Sequence, residues 1–221
     1  MTQAADLAIA INTFVKGCKT DGTWDAIKAC CIMAAWDGLT GALYPLKGGK
    51  PTNYNFVSGD YNRETGLAGD GSTKYLDSNR ALNADPQNNC HVAVWASTIG
   101  NSNPLMAHST WAVTGSTGVG LGGSRNRNAT PNGITAVTGI NAVNRTAVGS
   151  FNWRHGLSIG STSATSETPP SDTYWLFRGD FGSPFYSSHR LSFYSIGESL
   201  DLALLDSRVS TLMTDIGAAI P

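Results

Sequence analysis

Between His189 and Val209 the chain, HRLSFYSIGESLDLALLDSRV, changes its hydrophobic period. Leu191, Phe193, Tyr194 and Ile196 stand among Ser192 and Ser195 in an alternating pattern, as in a strand. From Leu202 onward, apolar residues recur three and four apart, as on one face of a helix. The spacing predicts a strand that runs through GESL into a helix over 201–219. Leu202, Leu205, Val209, Leu212, Ile216 and Ala219 form its stripe, and Asp201 sits where a carboxylate caps the first turn. Leu205, Val209, Leu212 and Ile216 are expected to be buried, and Gly197 to let the chain turn. A second helix is expected over 3–16, where Ala4, Leu7, Ile11, Phe14 and Cys18 keep the same rhythm and Thr2 is available as N-cap. Each stripe lasts under three heptads, too short to argue for a coiled coil, so both helices are read as docked on the body of their own chain.

Between the ends, the pattern is that of strands. A short helical turn is expected over 23–28 (Thr23, Trp24, Ile27), then a buried strand CCIMAAW from Cys30 to Trp36. TKYLDS around Tyr75, HVAVWAST from His91 to Thr98 and MAHSTWAV around Trp111 follow, then RTAVGSFNW, GLSIGST, TYWLFRG and SHRLSFYSIG. These segments are rich in strand-favouring residues and are separated by Gly, Asn, Pro and Ser. In the His91–Thr98 strand, Val92 and Val94 are expected to face the core, with Ala93 and Trp95 on the opposite side. SGDYNRETGLAGDGST and GSTGVGLGGSRNRNATPNG read as long polar connections. No repeat of solenoid length and no interdomain linker stands out. The pattern predicts a mainly β, antiparallel sandwich with N-terminal helices and a C-terminal helix. Residues 1–20 are read as an N-terminal helical segment, and 21–221 as the sandwich with its capping helix, one domain overall.

Composition narrows the functions. A chain of 221 residues can bury roughly 70% of its unfolded surface. Charged residues make up 14%, the formal net charge is −1 and no Lys/Arg run occurs, which argues against a nucleic-acid partner. No apolar run reaches the ~20 residues of a membrane-spanning helix, so no membrane insertion is expected. The N-terminus MTQAADLAIAINTF lacks a basic n-region and does not read as a signal peptide, which points to synthesis in a cytoplasm. Cys18, Cys30, Cys31 and Cys90 fit no zinc or redox spacing and are expected to be buried free thiols.

GLAGDGSTKYLDSN (Gly66 to Asn79) followed by HVAVWAST, together with FRGDFGSPFYSSHRLSFYSIGESLD and its helix, resembles bacteriophage virion proteins that carry a concanavalin A-like, LamG-like jelly roll. TWDAIKACCIMAAW is similar to the opening of that family. The resemblance spans roughly residues 20 to 220. It implies a virion component, made in the host cytoplasm and placed on a tail fibre, spike or baseplate or decorating the capsid.

Jelly rolls of this kind also occur in glycan hydrolases and lectins. The alternating carboxylates of a retaining glycosidase, E-x-D-x-x-E, are absent: Glu64, Glu167 and Glu198 have no acidic partner at i+2. There is no HExxH, GxSxG or P-loop, and GLGGSRNRN lacks the residues that complete a phosphate cradle. His91, His108, His155 and His189 are scattered over four segments. Asp60, Asp70 and Asp77 offer oxygen ligands but stand beside turn formers that account for them, so no metal and no cofactor is expected. The richest binding chemistry lies in FNWRHG, where Asn152, Arg154 and His155 flank Trp153, with Trp111 and Tyr186 adding aromatic faces; these six residues are the candidate glycan contacts. The expectation is a non-enzymatic virion structural protein serving assembly or host attachment. The alternative is a glycan-binding lectin-like module, and a divergent glycoside hydrolase ranks behind both. Partners would be other virion proteins, further copies of the chain (a trimer with helices meeting on a threefold axis) and a host-surface glycan.

Overall fold

The longest alternating segments lie side by side at the centre of the larger sheet. The computed structural model describes residues 2–108, 126, 131–180 and 182–220. Helix α1 (Gln3–Thr20) leads into β1 (Ile27–Ile32) and a single turn α2 (Leu39–Ala42). Then come β2 (Thr52–Tyr54), β3 (Tyr61–Asn62), β4 (Gly66–Ala68), β5 (Tyr75–Ala81), β6 (Cys90–Thr98) and β7 (Met106–Ala107). The second half holds β8 (Gly139–Arg145), β9 (Ser150–His155), β10 (Ser158–Ser163), β11 (Thr173–Leu176), β12 (Arg178–Asp180), β13 (Pro184–Tyr186), β14 (Arg190–Gly197) and α3 (Leu202–Ala219). One sheet runs β10-β9-β8-β6-β14-β4-β3, with β1 sharing the edge of β14; the other runs β2-β5-β11-β7; β12 and β13 form a hairpin. All pairings are antiparallel. The chain is thus a mainly β, antiparallel two-sheet sandwich with a helix at each end.

The large sheet is buried on both faces. Val92, Val94 and Ala96 of β6 pack with Leu76, Tyr174, Leu176, Tyr194 and Ile196 between the sheets. Ala93, with Trp95 partly buried beside it, lies on the opposite face among Phe14, Phe193, Leu205, Val209, Leu212 and Ile216, under the helices. The expected register of β6 therefore holds. In β14, a bulge at Leu191–Ser192 resets the alternation, so Leu191 joins the inter-sheet core while Phe193 faces the helices and meets the Phe14 ring edge-on at 5.6 Å. The four buried residues of the α3 stripe are those expected, each worth roughly 1.5–3 kcal/mol of burial. The buried parts of both stripes, Leu7, Phe14 and Cys18 of α1 and Leu205, Val209, Leu212 and Ile216 of α3, are covered within the chain, so they are not available to build a threefold axis.

The ends of the helices show what the sequence pattern resolves and what it does not. The Asp201 carboxylate accepts from the amides of Ala203 and Leu204, so it caps α3 as expected. Thr2 makes no side-chain cap on α1. The helical turn expected over 23–28 is limited to one turn, closed by the Ile27 amide on the Thr23 carbonyl at 3.3 Å, and no helix follows because Ile27 already belongs to β1. Thr23 does not start a helix because it closes α1: its amide bonds to the Cys18 carbonyl at 2.9 Å and the Gly22 amide to Lys19 at 3.2 Å, with Gly22 at φ 72°. This is a Schellman ending, and the Thr23 hydroxyl also donates to the Cys18 carbonyl. Gly197 is not a turn residue either. It ends β14 against β1, where a Cβ would run into the Ala26 carbonyl oxygen. RTAVGSFNW, read as one strand, spans the β8–β9 connection, and TYWLFRG divides into β11 and β12 at Phe177. All four cysteines are buried and free.

Candidate functional site: an aromatic face on the smaller sheet

Within β9 the expected FNWRHG cluster converges only in part, because neighbouring strand residues point to opposite faces. Asn152 and Arg154 face the helices; Arg154 Nε donates to the Asp206 carboxylate of α3 at 2.7 Å, a tie between strand and helix. Trp153 packs on the inter-sheet core instead. His155 is buried, with Nδ1 3.1 Å from Asn141 Oδ1 and Nε2 3.2 Å from Asn132 Nδ2. Burial pushes its pKa down to about 4, so it stays neutral. Asn152, Trp153 and Arg154 do line one groove of about 530 Å³ with Asn144, Ile159, Ser161 and the start of α3, where the edge of the Trp153 ring lies against Gly160. Trp111 lies outside the described residues. Tyr186 belongs to another place altogether.

That place is the outer face of the four-stranded sheet. Leu76, Tyr174 and Leu176 point inward, so period-2 alternation sends Tyr75, Asp77 and Trp175 outward. Pairing of β2 with β5 sets Tyr54 opposite Tyr75, and their rings stack at 4.2 Å and 3°. The Tyr186 ring of β13 stands 6.1 Å from Tyr75. Arg178 fills the middle: its guanidinium carbon lies 4.3 Å from the Trp175 ring centre, 4.8 Å from Tyr75 and 5.9 Å from Tyr186. Contacts of this length over ring faces are attractive, the more so as water is excluded.

Arg178 reaches this face because of Phe177. In an unbroken strand, Arg178 would share the inward face of Leu176. Phe177 instead adopts φ 66°, a conformation that is costly for a bulky residue. Its buried ring packs on Phe56, its amide bonds to the Leu105 carbonyl and its carbonyl accepts from the Ser187 amide. These contacts hold the kink and turn Arg178 over Trp175. Backbone strain of about 1–3 kcal/mol that the surroundings over-determine tends to cluster where a side chain must be aimed.

Electrostatically the face leans negative. Arg178 Nη2 is 3.6 Å from the Asp180 carboxylate, while its buried Nε has no hydrogen-bond partner. Asp77 accepts from the Thr173 hydroxyl at 2.8 Å. The His108 ring lies 5.1 Å from Trp175, tilted at 49°, and its Nε2 is 3.4 Å from Asp172. Burial lowers the His108 pKa despite that carboxylate, so the ring is neutral at pH 7 and the contact is not an ion pair there. Asp180 is thus the carboxylate paired with the guanidinium, while Asp77 and Asp172 are engaged by Thr173 and His108 on the same strands and their connections. The backbone of Tyr186 is fixed by the side-chain amides of Asn101 and Asn103, at 3.0 and 2.6 Å from its carbonyl.

The acidic residues considered as metal ligands are engaged separately. Asp70 closes its own turn with the amides of Ser72, Thr73 and Lys74, and Asp60 pairs with Lys74. Among the described residues, no three His, Cys, Asp or Glu side chains lie together as a metal set.

No protein-family model and no curated protein matches the chain. Solved structures give distant likenesses to β-sandwich domains. One is domain 4 of AbnA, a GH43 extracellular arabinanase from Geobacillus stearothermophilus in complex with arabinotriose (13% identity, 82% of this chain, 97% of that one, TM-score 0.42). Another is a mutant of Trypanosoma rangeli sialidase displaying trans-sialidase activity (12% identity, 93% of this chain, 39% of that one, TM-score 0.45).

Proposed function

We propose that the chain is a non-enzymatic carbohydrate-binding module whose ligand stacks on the Tyr54–Tyr75–Trp175–Tyr186 face. The observation that carries this reading is the ring cluster gathered around Arg178 on an outer sheet face, where Tyr54 remains 41% exposed. Aromatic faces present apolar area to the C–H faces of sugar rings, and phenol, guanidinium and carboxylate groups at the rim bond to hydroxyls. The excess of carboxylates over cations makes a neutral or amino sugar the better fit and disfavours uronic and sialic acids. In the phage setting that the sequence resemblance implies, the module sits on the virion and holds it to a host-surface glycan. A glycan array that includes neutral, amino and acidic oligosaccharides tests the proposal. Selective capture of neutral or amino sugars supports it, and absence of binding to every carbohydrate class refutes it.

A further inference from the structure

The large sheet has one long open edge. β10 is six residues, Ser158–Ser163, and among the described residues it pairs only with β9. Among the described residues, the other edge strands are much shorter: two residues at β3, three at β2 and two at β7. Soluble proteins usually blunt a free edge with charge, proline or a covering segment. SIGSTS has no charge and no proline. It also carries exposed apolar surface: Ile159 is 67% exposed, and Leu157 in the preceding turn 96%.

The register fixes which groups are free. His155 faces Ser158 across the two-residue turn Gly156–Leu157, so that pair closes the hairpin, and bonded and non-bonded pairs alternate from there. Ser158, Gly160 and Thr162 direct their amides and carbonyls to β9. Ile159, Ser161 and Ser163 direct theirs outward.

We propose that this edge pairs with β10 of a second copy, antiparallel about a twofold axis, and joins the two large sheets into one. Outward-facing groups must meet outward-facing groups, and the register that pairs residues 159–163 then sets Ser161 opposite its own symmetry mate and Ile159 opposite Ser163. Gly160 falls opposite Thr162. Every pair is uncharged and small enough to fit, so the segment is complementary to itself, as a twofold interface requires. About six hydrogen bonds form at the three outward pairs. The resulting assembly has twofold symmetry and presents two aromatic faces, which adds avidity to a weak glycan contact. The pairing stands independently of the glycan reading.

Sedimentation velocity of the full chain over a wide concentration range tests this, together with two kinds of variant. Ser161→Pro removes an outward amide without touching the β9 ladder, and Ser161→Lys places like charges opposite each other. Both are expected to weaken dimerisation at least tenfold. Ser161→Cys is expected to form an intermolecular disulfide under mild oxidation faster than Leu157→Cys, since the native thiols are buried. A strict monomer at all concentrations, a trimer, or a dimer that ignores both Ser161 substitutions would overturn the proposal.

Discussion

Acid should destabilise this protein well above the pH at which carboxylates protonate. His91 is fully buried, with Nδ1 2.6 Å from the Glu198 carbonyl oxygen and Nε2 2.7 Å from Ser195 Oγ, and burial pushes its pKa down from 6.5 to about 4. His155 is held neutral in the same way, also at about 4. The folded chain therefore binds fewer protons than the unfolded chain between pH 6.5 and 4. Stability is complete above pH 6.5 and is lost as the pH falls toward 4. Each pH unit in that window costs about 1.4 kcal/mol per histidine, so at pH 5 the two together remove about 4 kcal/mol. Burial lowers the pKa of His108 and His189 as well, which adds in the same direction. A domain of this size has about 5–15 kcal/mol in total and loses roughly 2–4 °C per kcal/mol, so Tm should drop by roughly 8–16 °C between pH 7.5 and pH 5. Asp70 acts in a separate window. Burial opposes its ionisation, but the bonds from Thr73, Ser72 and Lys74 outweigh that and lower its pKa, so its contribution is lost only below about pH 4. Differential scanning calorimetry at constant ionic strength reads the effect. A Tm that moves by less than about 3 °C, or an unchanged pH slope in the His91→Gln/His155→Gln double variant, would refute the reasoning.

Other perturbations address the scaffold. Arg145 is fully buried, and its guanidinium donates to the carbonyls of Asn126, Ala147, Val148, Ser150 and Ala164. Arg145→Met removes all of these bonds, with the Val148 carbonyl keeping the Ser166 amide, and should cost more than about 3 kcal/mol in urea denaturation, since each orphaned group is worth about 1–3 kcal/mol. Leu212→Ala opens a cavity under α3 and should cost about 2–5 kcal/mol. Removing residues 202–221 uncovers Phe193, Ile27 and Ala142 and should lower Tm sharply; an unchanged Tm would contradict the role of α3 as cover for the sheet.

Much of the architecture was legible in the residues. HVAVWAS is nearly continuously apolar, which marks a strand buried on both faces, and the structure supplies a sheet on one side and helices on the other. Asp201 marked the start of α3 because capping is local chemistry. Thr23 misled for the same reason: a residue that can cap a helix start can equally bond back to the end of the preceding helix, and only the Gly22 turn distinguishes the two. The site was far less legible. FNWRHG gathers binding chemistry in sequence; in space Asn152, Trp153 and Arg154 share the groove beside α3, while His155 is buried away from it. Tyr54, Tyr75, Trp175 and Arg178 are gathered from separate segments by strand pairing, and Arg178 joins them only through the positive φ of Phe177, which no sequence signal announces. Tyr186 stands out in the sequence for its aromatic face, and the fold sets it beside Tyr75 rather than beside Trp153.

The central claim is that the ring face around Arg178 binds sugar. Titration calorimetry with an oligosaccharide captured by the wild-type chain, run in parallel on Tyr54→Ala, Trp175→Ala and Asn152→Ala, tests it directly. Loss of one stacking ring should weaken binding at least tenfold, equivalent to about 1.4 kcal/mol, in the first two variants, whose folds are checked by Tm. Asn152→Ala, in the groove beside α3, should bind like wild type. Undiminished affinity in Tyr54→Ala and Trp175→Ala, with binding abolished by Asn152→Ala, would contradict the account.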